Sequence, residues 1–375
     1  MTMGPHAIGA ESSTLRFEDF DVAVTSSERG DLGWLAAFLA CGFEPVSGSA
    51  CDRRVGLTVD AAAYDRLFAK GRPGSGARVE GFARDAEPSL LERWPMNGME
   101  RVFHDTRRPI FYVISEDGAR VEIVARERTP KCRSTLMRVV RELTMARVVA
   151  TGGILVHGSV IRVDGGVVVM CGPKRSGKTT LLMSLLETAG TRYVANDRCV
   201  LRPTDTGVSV RGLPTLVSIR SDTLDFFPAA RRRLAGIRPD LAGAGLTEAT
   251  SFSLSPPEFC ELMGDCPRAS GGPLLALIFP RITDDPAPLM LYPLAVPEAL
   301  ARFRQGLFRA AHASPLGDAF VSRAALAASS ALEAHRRIAE SVPGFDCQLG
   351  SGEAPGPQAC RALLERVSST SRAAP

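Results

Sequence analysis

The chain has 375 residues, 45% of them apolar and 23% charged, which is enough for a sizeable core in two domains. A formal charge of +4 is too small to imply a nucleic-acid surface, and no run of about 18 apolar residues marks a membrane helix. Nine scattered cysteines without a Cys-x-x-Cys pair indicate neither a zinc site nor a disulfide framework. Together with a polar N-terminus that lacks a secretory pattern, they point to a reducing cytoplasm. Residues 1–14 read as a loose tail. A helix is predicted over Asp31–Cys41, a strand over Val55–Asp60, a second helix over Ala61–Lys70 and a loop over Pro73–Ala77. Ile110–Ser115 and Arg120–Val124 flank a Glu-Asp-Gly turn and read as a hairpin. His104 and Asp105 sit together in a presumed loop and read as structural.

Residues 133–150 carry apolar positions at helical spacing and stop at Gly152-Gly153, a helix expected to lead into the second domain. Strands over Ile154–Val163 and Val167–Cys171 are joined by Asp164, Gly165 and Gly166, a strong hairpin signal. A helix over Lys178–Ala189 and a short strand over Tyr193–Ala195 follow, then strands over 198–202 and 208–213. Residues 236–273 are rich in Gly, Pro and Ser and read as a long functional loop or lid. Strands are expected at Leu274–Phe279, Leu289–Tyr292 and Phe345–Leu349, helices at Val321–Ser341 and Pro357–Val367, and a disordered tail from Ser368.

Gly172, Pro173, Lys174, Arg175, Ser176, Gly177, Lys178 and Thr179 match the Walker A pattern without a mismatch, and Thr180 continues it. The glycines let the backbone curl so that its N–H groups converge, and the following helix adds its positive end, which together suit a triphosphate. Lys178 is placed to reach the β- and γ-phosphates, and Thr179 to offer its hydroxyl to Mg²⁺. Only four of the 45 basic residues are lysine, and two of those four lie in this loop. Where charge alone matters this chain uses arginine, so Lys178 is kept for its compact ammonium.

Asp197 follows Lys178 by one helix, one glycine turn and one strand, which sets it at the end of a strand near the loop. An acid there can hold Mg²⁺, directly or through water, or take a proton from an attacking hydroxyl. With Asp164-Gly165 as the turn, Val163 faces Gly166 and His157 faces Gly172; a three-residue turn shifts this by one. Either register sets His157 at the mouth of the loop. Arg231, Arg232, Arg233 and Arg238 form a basic cluster, read either as a solvated helix face or as a landing site for an acidic peptide or phosphate-bearing substrate.

Val156-His157-Gly158, the loop, and Val194-Ala195-Asn196-Asp197-Arg198 together resemble the catalytic domain of the bacterial HPr kinase/phosphorylase group. The resemblance is good over about residues 150–215, loose over 270–367, and absent over 1–130. It implies an α/β P-loop domain of the HPr kinase and phosphoenolpyruvate-carboxykinase type over 131–370; the pattern of residues 1–130 itself reads as a smaller α+β domain, expected to recognise substrate. The resemblance also implies ATP and Mg²⁺ as cofactors, His157, Lys178 and Asp197 as catalytic, and Thr179 and Asp197 as metal ligands. Asn196 stands where the family has the first of two adjacent acids, so it could only orient a hydroxyl or a metal-bound water. The expected activity is transfer of the γ-phosphoryl group of ATP to a Ser or Thr hydroxyl of a peptide or protein, natural-product precursor peptides included. A small-molecule kinase and a nucleotide-dependent regulatory ATPase are the alternatives. The family implies a homo-oligomer; no nucleic-acid or membrane partner is expected.

Overall fold

The computed structural model describes residues 11–48, 51–70, 78–81, 89–94, 101–105, 107–243, 251–284, 289–307 and 332–373. They form a mixed α/β protein of two compact units; the second takes in Phe38–Gly42 and otherwise starts at Gly152.

In the first unit, strands β1 (Glu11–Phe17), β2 (Phe20–Ser26), β3 (Glu44–Val46), β4 (Arg53–Val59), β5 (Arg78–Gly81), β6 (Ser89–Trp94), β7 (Arg101–Asp105), β8 (Ile110–Ile114) and β9 (Arg120–Ala125) make one sheet. Its order is β3-β1-β2-β4-β9-β8-β7-β6-β5. Helix α1 (Asp31–Leu39) follows β2 in the chain, and α2 (Ala61–Lys70) lays Ala63 and Tyr64 against Val102, Phe111 and Val124. Helix α3 (Pro130–Ala150) contacts β2 and β4, so the helix expected to open the second domain belongs to the first sheet. The first strand starts inside the stretch read as a loose tail. The 73–77 loop lies outside the described residues.

The second unit is built on β10 (Ile154–Val156), β11 (Gly158–Val163), β12 (Gly166–Cys171), helix α4 (Lys178–Leu186), β13 (Arg192–Ala195), β14 (Cys199–Thr204) and β15 (Gly207–Gly212). Strand β16 (Val217–Arg220) and helices α5 (Ser221–Asp225), α6 (Pro228–Ile237) and α7 (Pro239–Gly243) follow. Then come β17 (Ser251–Leu254), which pairs with β16, α8 (Pro256–Leu262), β18 (Gly271–Thr283), β19 (Leu289–Leu294) and α9 (Val296–Gln305). Helix α10 (Leu332–Ser341), β20 (Gly344–Gly350) and α11 (Pro357–Ala373) complete it. The main sheet runs β10-β14-β15-β18-β12-β11-β13, with β20 beside β18 and β19 beside β20. Strand β12 is buried on both faces, as its unbroken apolar run requires. Val168 and Met170 pack with Leu181, Leu185 and Ile278 on one face; Val167, Val169 and Cys171 pack with Leu277, Phe279 and Phe303 on the other.

Three expectations change. The stretch read as a lid over 236–273 is largely folded into α7, β17, α8 and the start of β18, residues 244–250 lying outside the described set. Pro256 and Pro257 looked like loop punctuation, but they occupy the first turn of a helix. Ser255 caps that helix by accepting from the Glu258 N–H, and the Glu258 carboxylate accepts from the Ser255 N–H at 2.6 Å. Helix α9 was not expected; its start at Val296-Pro297 is the same N-terminal proline signal. Helix α11 continues to Ala373 through the tail read as disordered, and Ser371 Oγ ties it back to the Leu275 carbonyl at 2.7 Å. Of the helix expected over 321–341, the part before Leu332 lies outside the described residues. No described helix is long and apolar enough to cross a membrane.

Candidate functional site

Strand β12 ends at Cys171, and the chain turns through Gly172–Gly177 into α4. Two glycines make that turn feasible. A Cβ on Gly172 would lie 2.7 Å from Ser176 Oγ, and Gly177 has φ +90° with Leu349 Cδ1 2.5 Å from where its Cβ would stand. Arg175 also takes a left-handed conformation, φ +64°. Pro173, Lys174 and Arg175 form the exposed crest, and Thr179 and Thr180 are half-buried in the first helical turn. Ser176 Oγ is buried with no hydrogen-bond partner. An orphan hydroxyl in a glycine-bearing turn at the start of a helix is the kind of group a phosphate would satisfy, so these residues fit a triphosphate.

Lys178 Nζ folds back over this turn and donates to the carbonyls of Gly172 and Pro173, both at 2.8 Å. Burial pulls its ammonium pKa below the usual lysine value, while the charges of Cys171 and Asp197 oppose that shift. The Asp197 carboxylate is therefore close enough for its charge to act on the loop lysine.

Asp197 reaches this position through β13, which lies antiparallel to β11. The residue has φ +83°, a left-handed conformation that is strained for a side chain with a Cβ. Its Oδ1 meets His157 Nε2 at 3.0 Å, and its Oδ2 lies 3.6 Å from Arg198 Nε. His157 sits where the single long strand expected over 154–163 divides. Before it, β10 pairs with β14; after it, β11 pairs with β12. At the break the His157 N–H donates to the Gly306 carbonyl at 2.7 Å, just past α9. The β11–β12 register is Val163 opposite Gly166 and Gly158 opposite Cys171, the two-residue turn of the sequence reading. His157 directly precedes the first paired residue, Gly158, at the end of the hairpin from which the Walker loop departs.

Asn196 points elsewhere. Its Oδ1 accepts the Ser159 hydroxyl at 2.6 Å, and its carbonyl accepts Thr215 Oγ1 at 2.7 Å, all three residues being buried. Its amide oxygen thus ties the end of β13 to β11, and its backbone carbonyl ties it to the segment after β15. Ser159 and Thr215 escaped sequence reasoning because lone hydroxyls in apolar runs carry no local signal.

Beside the loop, a second polar group was also missed. Buried Asp346 on β20 accepts from Arg281 Nε at 3.1 Å and Gln348 Nε2 at 3.2 Å, and pairs with Arg302 of α9. Burial pushes its carboxyl up, but the hydrogen bonds from Arg302, Gln348 and Arg281 outweigh that and hold it below the usual carboxylate range. The alternation of Asp346 and Gln348 within an otherwise apolar strand was the available clue. The basic cluster of α6 is partly spent within the fold. Arg231 pairs with Asp225, Arg238 pairs with Asp240, and Arg233 Nη1 donates to the Leu262 carbonyl at 3.2 Å.

The site thus joins the Walker loop with Lys178, Asp197 and His157 in a mixed α/β unit. Scanning the sequence against protein-family models finds no match, and a search of curated proteins finds none either.

Proposed function

We propose that this chain is an ATP-dependent phosphotransferase on a P-loop domain of the HPr kinase type, moving the γ-phosphoryl group to a hydroxyl. The reading rests on one observation above all: the His157–Asp197 pair, 3.0 Å apart, beside a Walker loop whose lysine feels the Asp197 charge. A phosphate-binding loop alone would serve a switch as well as an enzyme. A carboxylate on strained backbone, fixed by an imidazole, suits removal of a proton from an attacking hydroxyl.

In this reading Lys178 exchanges the carbonyls of Gly172 and Pro173 for the β- and γ-phosphates, and the loop N–H groups with Ser176 cradle the chain of phosphates. Thr179 and Asp197 would hold Mg²⁺, with phosphate oxygens supplying further ligands, and the ion when bound neutralises charge on the transferred group. The acceptor oxygen bonds to the γ-phosphorus as the bridging P–O bond to ADP breaks, and the acceptor proton passes to Asp197. His157 fixes the rotation of that carboxylate through Oδ1. The preferred acceptor is a Ser or Thr hydroxyl of a peptide or protein, on the family resemblance over residues 150–215; a small-molecule hydroxyl would use the same chemistry. One observation favours a second reading, a slow regulatory ATPase: the Asn196 oxygen is engaged by Ser159, which leaves Asp197 as the lone carboxylate of the motif.

The test is ATP turnover by the full chain, alone and with a library of serine- and threonine-containing peptides. A kinase transfers to an acceptor at least about 100-fold faster than to water, the scale of positioned proton transfer. Turnover that ignores every acceptor supports the ATPase reading. Undiminished transfer by Asp197→Ala removes the assigned role of the acid.

A further inference from the structure

The β11–β13 strand pair carries His157 and Asp197 at one end. Its other end holds a second arrangement that the phosphotransfer reading does not use. Arg162 of β11 is the direct cross-strand partner of Arg192 of β13. Residues directly opposite on antiparallel strands have Cβ atoms about 4.5–5.5 Å apart on the same face, and like charges placed so repel. The ladder slips by one residue between Val160 and Ile161, and this slip is what brings the two arginines into register.

Among the described residues no ion pair within 4.0 Å joins either arginine to an acid, Asp164 included. Arg162 spends one N–H on the Gly271 carbonyl. Both residues line a cavity of about 490 Å³. Its remaining wall is mostly backbone and small polar groups: Asp164 and Gly165 of the β11–β12 turn, Gly190 after α4, and Ser270 before β18. This cavity is separate from the Walker loop. Arg162 lies four residues along β11 from Gly158, about 13 Å at the rise of an extended strand.

We propose that this cavity is a second anion site, which binds a small phosphate-bearing molecule between Arg162 and Arg192. Two arginines from paired strand positions on one cavity wall supply planar donors that match phosphate oxygens, and an anion between them converts their repulsion into attraction. The volume falls in the range of small-ligand sites rather than that of a single water or halide. Asp164 on the rim opposes binding and sets a preference for compact ligands that keep their charge between the arginines.

The probe is pyrophosphate, titrated calorimetrically into the full chain at fixed ionic strength. The Walker loop also accepts this anion, so the two sites are separated by variants. Two binding events per chain are expected, one removed by Lys178→Ala and the other by Arg192→Glu. Arg192 is exposed, so the substitution leaves the core intact, and the conservative Arg192→Gln should weaken the second event at least tenfold. Asp164→Asn should tighten it. The proposal is overturned by a single event per chain that disappears in Lys178→Ala, or by a second event that neither arginine variant nor Asp164→Asn alters. Loss of the Lys178-dependent event alone would count against the phosphotransferase reading and leave this one standing.

Discussion

Two histidine–aspartate groupings stand among the described residues, and they are built on opposite principles. His104 and Asp105 are neighbours in the sequence, yet they do not pair with each other. His104 turns into the first unit, where Nε2 shares a hydrogen bond of 2.8 Å with Tyr64 Oη and the ring lies 4.5 Å from that of Phe111. Asp105 accepts from the N–H groups of Arg107 and Arg108, at 3.0 and 3.2 Å. Both residues are buried on ordinary extended backbone. His157 and Asp197 are far apart in sequence and meet at 3.0 Å, with His157 partly exposed and Asp197 at φ +83°. Satisfied polar groups in unstrained backbone stabilise a fold. In the proposed reading, a strained acid beside the Walker turn costs stability and serves the chemistry instead.

The comparison can be broken by substitution. The largest effect is expected at Asp197: Asp197→Asn should lower phosphoryl transfer by about 10²–10⁴-fold, the range of a lost general base, with nucleotide binding largely kept. Asp197→Gly should lose activity equally while stability is unchanged or raised by up to about 1 kcal/mol, because glycine takes the left-handed conformation without strain. A clear loss of stability in chemical denaturation would show that the strain is not there. His104→Phe should do the reverse. It leaves the buried Tyr64 hydroxyl without its partner and costs about 1–2 kcal/mol, with transfer unaffected. His157→Phe should reduce transfer with a stability change below about 1 kcal/mol, since its contact with Asp197 is partly solvated.

The smallest effect is one of pH. Burial disfavours the imidazolium of His104 and lowers its pKa from the usual 6.5. The unfolded chain then binds the extra proton, so this stability is fully present above about pH 6.5 and is lost as pH falls below it toward the folded value. His335 is also lowered by burial, so the informative quantity is the difference between wild type and His104→Phe. Urea midpoints of the two proteins should converge as the pH drops from 7 to 5; a constant gap would contradict the buried neutral state.

Short-range signals were legible in the sequence. The Asp164-Gly165 turn gave the β11–β12 register, and with it the position of His157, because a two-residue hairpin admits few alternatives. The Walker spacing gave the loop, and the end of β13 gave Asp197. What was not legible depended on long-range pairing or on punctuation with two meanings. Pro256 and Pro297 begin helices, though in a glycine- and serine-rich stretch prolines also mark loops. The bond from Ser159 to Asn196 and the facing of Arg162 and Arg192 need the β11–β13 pairing with its one-residue slip, which no periodicity within either strand encodes.

The central claim is that the turn at Gly172–Gly177 holds a triphosphate through Lys178. Calorimetric titration of ATP with Mg²⁺ into wild type and Lys178→Ala tests it most directly. One ATP per chain is expected at the loop, weakened by about ten- to a hundredfold in the variant, the worth of hydrogen bonds to a charged group. Absence of binding, or equal affinity in the two proteins, would contradict the account.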